Sequence, residues 1–166
     1  MIVLLNGCIN SGKTTIAKSI IERSIGFAHI EVDALRDFIR WMPLEETIEL
    51  NIRNAIAVAK NFHENGINSV ISYPLSEENF NDIKELLVGT SIELHAVALY
   101  PGIDKLKINR GKRELTEWEM KRIDELHTMG LSQPCFGTVI DNSEQTIEET
   151  TDSVLQIVGI KVPSPH

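Results

Sequence analysis

The stretch Ile2-Val3-Leu4-Leu5-Asn6-Gly7-Cys8-Ile9-Asn10-Ser11-Gly12-Lys13-Thr14-Thr15 decides the fold. Residues 2–5 are a continuous apolar run, the pattern of a strand buried on both faces of a sheet. Gly7-Cys8-Ile9-Asn10-Ser11-Gly12-Lys13-Thr14 follows at once and fits the phosphate-binding pattern G-x-x-x-x-G-K-[ST]. Thr15 then begins a predicted helix with Ile16, Ala17, Ile20 and Ile21 on one face and Lys18, Glu22 and Arg23 turned outward. Each fixed position has a physical task. The two glycines permit backbone angles closed to other residues, so successive N–H groups converge on phosphate oxygens at a helix N-terminus. Lys13 reaches terminal phosphates, and the Thr14 hydroxyl is a Mg²⁺ ligand. The pattern arises by accident in roughly one chain of this length in a couple of hundred, and its place between a strand and a helix narrows that further.

Outward from this stretch, strand and helix patterns alternate to the end of the chain, with no low-complexity linker and no fixed-period repeat. Alternation of this kind predicts βαβ units on a parallel sheet, an α/β class. The further strands are expected over 27–32, 70–73, 92–100 and 138–140. A helix with Leu35, Phe38 and Ile39 on one side is expected after the second strand, broken by Pro43. Ile48, Ile52, Ala55, Ile56, Ala59 and Phe62 then repeat at helical spacing up to Gly66. Ser76 starts the next helix with Glu77 and Glu78 in its first turn. A short helix over 103–108 precedes the basic segment 109–113, and Thr116 with Glu119 forms a capping-box pattern before a helix carrying Trp118, Ile123 and Leu126. The last helix runs through Ile147, Val154, Leu155 and Val158.

The 166 residues, 42% apolar and 24% charged, with six prolines and ten glycines, exclude fibrous, collagenous and disordered classes. A domain of this size buries roughly 70% of the surface its unfolded chain exposes, so neither disulfide nor structural metal is required. One domain over 1–162 is expected, with a frayed tail at 163–166. Cys8 and Cys135 stand in no metal-binding spacing, which fits a reducing compartment. No apolar run is long enough to span a membrane and no basic n-region precedes residues 2–5, so the expected location is the cytoplasm. A net charge of −8 repels a polyphosphate chain. The exception is local: Lys105, Lys107, Arg110, Lys112, Arg113, Lys121 and Arg122 outweigh Glu114, Glu117 and Glu119, a patch suited to a compact anion.

With these residues in view, the chain resembles the P-loop small-molecule kinases, the group that includes gluconate kinase, shikimate kinase and chloramphenicol phosphotransferase. Three places carry the resemblance: the loop from Gly7 to Thr14; Asp33 in Glu31-Val32-Asp33-Ala34-Leu35-Arg36; and Arg110 with Arg113 after the fourth strand. It implies a three-layer P-loop NTPase fold, a five-stranded parallel sheet in order 2-3-1-4-5 with helices on both faces, and a small lid around 109–116. It further implies ATP and Mg²⁺ as cofactors and a small-molecule hydroxyl acceptor. Gly7, Cys8, Ile9, Asn10, Ser11, Gly12, Lys13, Thr14, Thr15 and Arg110 would bind the nucleotide, Thr14 the metal. Lys13, Asp33, Arg110 and Arg113 would be catalytic, with Asp33 working on the acceptor hydroxyl and the two arginines closing over ATP. The layout also puts Asp33 and the phosphate loop on the sheet edge where open α/β sheets bind ligands.

The chain departs from this pattern in two respects. Many P-loop proteins end strand three with an aspartate, but here the segment is Ser69-Val70-Ile71-Ser72-Tyr73-Pro74, so Mg²⁺ support falls to Thr14, water and Asp33. No glycine-rich acceptor motif and no zinc-binding lid cysteines are present. Simpler roles compete with the chemical ones. Asp33 can cap the helix that follows. Glu31, two residues earlier, either shares the site or is solvated. Arg36 and Arg40, spaced on one helical face, either hold an anionic acceptor or make surface ion pairs. Arg110 and Arg113 can be a solvated helix end, Cys8 a small filler, and Trp41 and Trp118 core or pocket-rim residues. The five histidines lack ligand spacing. Two alternatives to the metabolite kinase are a nucleic-acid 5′-hydroxyl kinase, disfavoured by the charge, and a nucleotide switch without acceptor. The missing N-K-x-D disfavours a GTPase.

Overall fold

The computed structural model describes residues 1–108 and 114–161. Arg110 and Arg113 of the expected lid, and the tail 163–166, therefore lie outside the described residues. Five strands, β1 (Ile2–Gly7), β2 (Phe27–Glu31), β3 (Asn68–Ser72), β4 (Leu94–Leu99) and β5 (Thr138–Ile140), pair in parallel in the order β2-β3-β1-β4-β5. This is the order that the resemblance implies. The helices are α1 (Lys13–Arg23), α2 (Leu44–Glu64), α3 (Glu77–Leu86), α4 (Ile103–Leu106), α5 (Glu117–Thr128) and α6 (Ile147–Ile157).

The apolar run of β1 works as a two-sided core strand because alternate side chains leave a strand on opposite faces. Ile2 and Leu4 join Ile52, Ile56 and Ala59 of α2 and Ile83 of α3. Val3 and Leu5 join Ile16, Ala17 and Ile20 of α1 and Val154 and Leu155 of α6. Three layers follow directly. A smaller cluster of Cys8, Leu106, Ile123 and Leu126 seats α4 and α5 beneath the phosphate loop. Three helices carry reciprocal capping boxes, Ser76 with Asn79, Thr116 with Glu119 and Thr146 with Glu149, each satisfying two otherwise orphaned N–H groups. No helix among the described residues is long and apolar enough to cross a membrane.

The segment after β2 departs from expectation. The strand ends at Glu31, and Val32–Phe38 is a 3-10 helix. With three residues per turn, Val32, Leu35 and Phe38 fall in one row. Val32 is buried, Leu35 half-buried, and Phe38 runs past the core edge at 85% exposure, so the expected apolar face of Leu35, Phe38 and Ile39 is not formed. Trp41 at 80% and Trp118 at 68% exposure are likewise outside the core. The helix after the phosphate loop begins at Lys13, two residues before the expected Thr15.

Candidate functional site

The phosphate loop is held open by bonds to its own surroundings. The Asn6 side chain accepts from the Gly7 N–H at 2.6 Å and from the Leu75 N–H at 3.0 Å, and its amide donates to the Leu75 carbonyl at 3.2 Å. The Asn10 amide donates to the carbonyls of Leu106 and Ile108, both at 2.9 Å, and the Asn142 amide to the Ser11 carbonyl at 3.0 Å. Gly12, at φ 97°, caps α1 without a side-chain bond. The N–H groups of Lys13, Thr14 and Thr15 precede the first intrahelical bond, from Ile16 N–H to the Gly12 carbonyl at 2.9 Å, and are left facing outward for an anion.

Gly7 is the tightest point of the loop. It sits at φ 146°, and a Cβ there would lie 2.5 Å from Ser11 Oγ and 2.7 Å from the Leu99 carbonyl oxygen. The Leu99 oxygen belongs to a central strand and cannot yield. Gly7→Ala is therefore expected to cost about 1–3 kcal/mol, a fall in melting temperature of about 2–4 °C for each kcal/mol. Gly66→Ala shares the positive φ (75°) but meets nothing within 4 Å, so it should cost less. Equal melting temperatures for the two variants in a thermal denaturation series would contradict this account.

Three charged side chains, Lys13, Glu31 and Asp33, meet Thr14 and Tyr73 at the mouth of the loop. The Lys13 ammonium donates to the Cys8 carbonyl at 2.7 Å, and desolvation lowers its pKa to about 8 despite the pull of Asp33 and Glu31. The Thr14 hydroxyl donates to Glu31 Oε1 at 2.8 Å. Asp33 lies in the first turn of the 3-10 helix, and desolvation first, with Glu31 adding to it, raises its carboxyl above the usual range against the pull of Lys13 and Arg36. Tyr73, just past β3, is pushed up to about 12 by burial and then by Asp33, so its hydroxyl remains a neutral donor. Perturbed groups of opposite sign gathered at one sheet edge are the electrostatic signature of a functional site.

Lys13, Thr14 and Asp33, picked from the sequence, are thus brought together. Neither Asp33 nor the N-cap residue Glu31 makes a side-chain cap bond, so the capping role weighed for Asp33 is not the one it plays. Cys8 is buried and burial raises its thiol, which fits a filler. Glu31, not Asp33, accepts from the Thr14 hydroxyl. The β-sheet register explains it: Leu5, Ser72 and Glu31 form one row across β1, β3 and β2, and the small Ser72 lets Glu31 reach past it. Ser72 is itself bonded to His29 Nε2 at 2.8 Å. Sequence reasoning missed Asn142 and Gln145, whose positions carry no motif.

Beside the loop lies a cavity of about 620 Å³, bounded by α1 and by the segment between β5 and α6. That volume accommodates a nucleotide-sized ligand. Two of its lining side chains, Asn142 and Gln145, present buried acceptor oxygens with no partner among the described residues. Buried acceptors of this kind normally have a partner. No group of three or more His, Cys, Asp or Glu side chains able to hold a metal occurs among the described residues. A Thr14 hydroxyl and one nearby carboxylate still suit Mg²⁺, which keeps several waters and takes phosphate oxygens as its other ligands.

Comparison with known proteins agrees with this geometry at the level of fold. No protein-family model matches the chain, and no curated protein sequence matches it. Among solved structures it is similar to the tunicamycin resistance protein of Deinococcus radiodurans, with a TM-score of 0.65 and 18% identity, covering 99% of this chain and 98% of that one. It is similar to a sugar kinase from Janibacter sp. HTCC2649, with a TM-score of 0.72 and 21% identity over 96% and 94% of the two chains. It is similar also to the APS kinase of Mycobacterium tuberculosis in complex with AMPPNP and APS, with a TM-score of 0.66 and 15% identity over 95% and 96%. The five-stranded parallel sheet in the order 2-3-1-4-5, flanked by helices, is the fold of the P-loop small-molecule kinases.

Proposed function

We propose that the protein is an ATP- and Mg²⁺-dependent phosphotransferase that moves the γ-phosphoryl group of ATP to a hydroxyl of a small molecule such as a sugar acid, metabolite or antibiotic. The observation that carries this is the convergence of Lys13, Thr14, Glu31 and Asp33 at the open phosphate loop. The shared fold with a sugar kinase and with an APS kinase bound to AMPPNP supports the same class of chemistry. Bound Mg²⁺ supplies charge neutralisation between the phosphates.

The roles of this chain's residues follow from positioning and charge. The loop amides and the Lys13 ammonium hold phosphate oxygens, and Lys13 exchanges its bond to the Cys8 carbonyl for them. Thr14 would hold the metal, with Glu31 accepting from the Thr14 hydroxyl and adding negative charge beside it. Asp33 takes the proton of the acceptor hydroxyl, and its raised pKa brings its basicity closer to that task. Arg110 and Arg113 cover the developing charge as lid residues.

Release of ADP with and without candidate hydroxyl acceptors tests the proposal. Acceptor-stimulated release supports the metabolite kinase, stimulation by nucleic-acid 5′ ends alone supports the nucleic-acid kinase, and unstimulated release supports the switch. Glu31→Gln separates the metal from the base. It is expected to raise the Mg²⁺ concentration for half-maximal rate by about 10–100-fold, the usual cost of losing a group that supports a metal ligand. An unchanged Mg²⁺ requirement would remove Glu31 from the metal's surroundings.

A further inference from the structure

The phosphate loop is tied to the segment that bounds the other side of its cavity by a bond across 131 positions of sequence, in which the Asn142 amide donates to the Ser11 carbonyl at 3.0 Å. Both ends are enclosed, Asn142 at 4% and Ser11 at 0% exposure. The sheet fixes the donor. β5 pairs with β4 through Ile140, and the Tyr100 N–H donates to the Ile140 carbonyl at 2.9 Å, two residues before Asn142. The Asp141 side chain then turns the chain by accepting from the Ser143 N–H at 2.9 Å. A carbonyl partner demands a donor, so the amide nitrogen of Asn142 and not its oxygen faces Ser11. None of the roles assigned above falls on Asn142.

What this bond holds is a single peptide unit. The Ser11 carbonyl and the Gly12 N–H belong to it, and a trans peptide points the two in opposite directions. With the carbonyl drawn toward Asn142, the Gly12 N–H is aimed the other way, and it donates to no group among the described residues. The units on either side have restraints of their own. The Ser11 N–H donates to the Cys8 carbonyl at 3.3 Å, and the Gly12 carbonyl accepts the first bond of α1, from the Ile16 N–H at 2.9 Å. Among the described residues the unit between them has only Asn142. Gly12, at φ 97° and without a Cβ, imposes no backbone angle of its own. Reversing the unit would set a carbonyl oxygen where a phosphate oxygen needs a donor, beside the outward N–H groups of α1.

We propose that Asn142 is a positioning residue of the phosphate loop: it locks the Ser11–Gly12 peptide with its N–H toward the bound polyphosphate and its carbonyl away from it. The proposal deepens the phosphotransferase reading and rests on it for the ligand, a di- or triphosphate. It gives the segment after β5 a task in holding phosphate that is separate from lining the cavity.

Ser11–Gly12 is the only Ser-Gly pair in the sequence, so the full chain grown with carbonyl-¹³C serine and ¹⁵N glycine shows this one peptide unit as a single resonance. Inorganic pyrophosphate and ADP, each with Mg²⁺, are titrated at constant ionic strength into wild type, Asn142→Ala and Asn142→Asp. Asn142 belongs to no core cluster, so both variants should keep the fold. In the wild type both ligands are expected to move the Gly12 amide proton downfield, as an N–H bonded to a charged oxygen does. Asn142→Ala frees the unit and should weaken both ligands by about 10–100-fold, the cost of one bond to a charged group, with a smaller shift. Asn142→Asp keeps the shape but sets a carboxylate against the Ser11 carbonyl, which favours the reversed unit, so its loss should be larger and the shift absent. Gln145→Glu adds the same charge to the same cavity without a bond to Ser11, and it should lose less affinity than Asn142→Asp and keep the shift. An unchanged shift in both Asn142 variants, or equal losses in Asn142→Asp and Gln145→Glu, would overturn the positioning role. Wild-type protein that binds neither ligand defeats the phosphotransferase reading and the proposal together, whereas wild-type affinity retained by both Asn142 variants defeats the proposal alone.

Discussion

Asp33→Asn is expected to slow phosphoryl transfer to an identified acceptor by about 10²–10⁴-fold, the usual contribution of a positioned general base, while ATP and ADP still bind. The substitution keeps size and hydrogen-bonding ability and removes only the carboxylate that takes the acceptor's proton. It should not destabilise the protein, because Asp33 makes no cap bond and its ionised form is disfavoured by desolvation. The sign is fixed by linkage. A carboxyl whose folded pKa is raised binds its proton more tightly in the folded state, so the fold loses stability as pH rises from the unfolded value of 3.8 to the folded one. Removing the charge at neutral pH thus leaves the melting temperature unchanged or higher. The acid limb of the wild-type rate profile should fall at a pH above the ordinary aspartate range. Transfer by Asp33→Asn at the wild-type rate would move the base assignment to Glu31, and a fall of several degrees in melting temperature would restore the capping role.

Lys13→Ala is expected to lower ATP use by about 10²–10³-fold, the loss typical of one preorganised donor to developing charge, with the circular dichroism spectrum preserved. Its side chain ends at the Cys8 carbonyl at the loop mouth and belongs to no core cluster. The same residue carries a stability cost in the unliganded protein. Its folded pKa of about 8 lies below the ordinary 10.5, so the protonated form is the disfavoured one and stability rises as pH climbs from about 8 toward 10.5. Lys13→Met keeps the apolar stem without the charge. Below pH 8 it should melt higher than wild type in the absence of nucleotide, and the difference should shrink above pH 8. Saturating ADP and Mg²⁺ should reverse the order, because only the wild type gains a phosphate partner. The wild-type kcat/KM for ATP should fall above about pH 8, since that ratio follows the free protein, and kcat should fall later. Lys13→Ala turning over ATP at the wild-type rate would make the motif an accident of sequence.

The sequence by itself determined the buried strand, the phosphate loop, the helix after it and the parallel βαβ class, because these depend on local periodicity and on glycines whose backbone angles are intrinsic. It also determined the N-cap at Ser76 and one of the three capping boxes, at Thr116 with Glu119, because both depend on residues within a single turn. The tertiary structure alone decided which carboxylate meets Thr14. That choice depends on the register of β2 beside β3 and on the small size of Ser72 between Leu5 and Glu31, and no local pattern encodes register across three strands. Tertiary structure likewise decided that Arg23 finds a carboxylate while Arg36 and Arg40 do not. An arginine's partner is set by what folding brings within a few ångströms, here Asp152 for Arg23 across 129 positions of sequence and no carboxylate for Arg36 or Arg40.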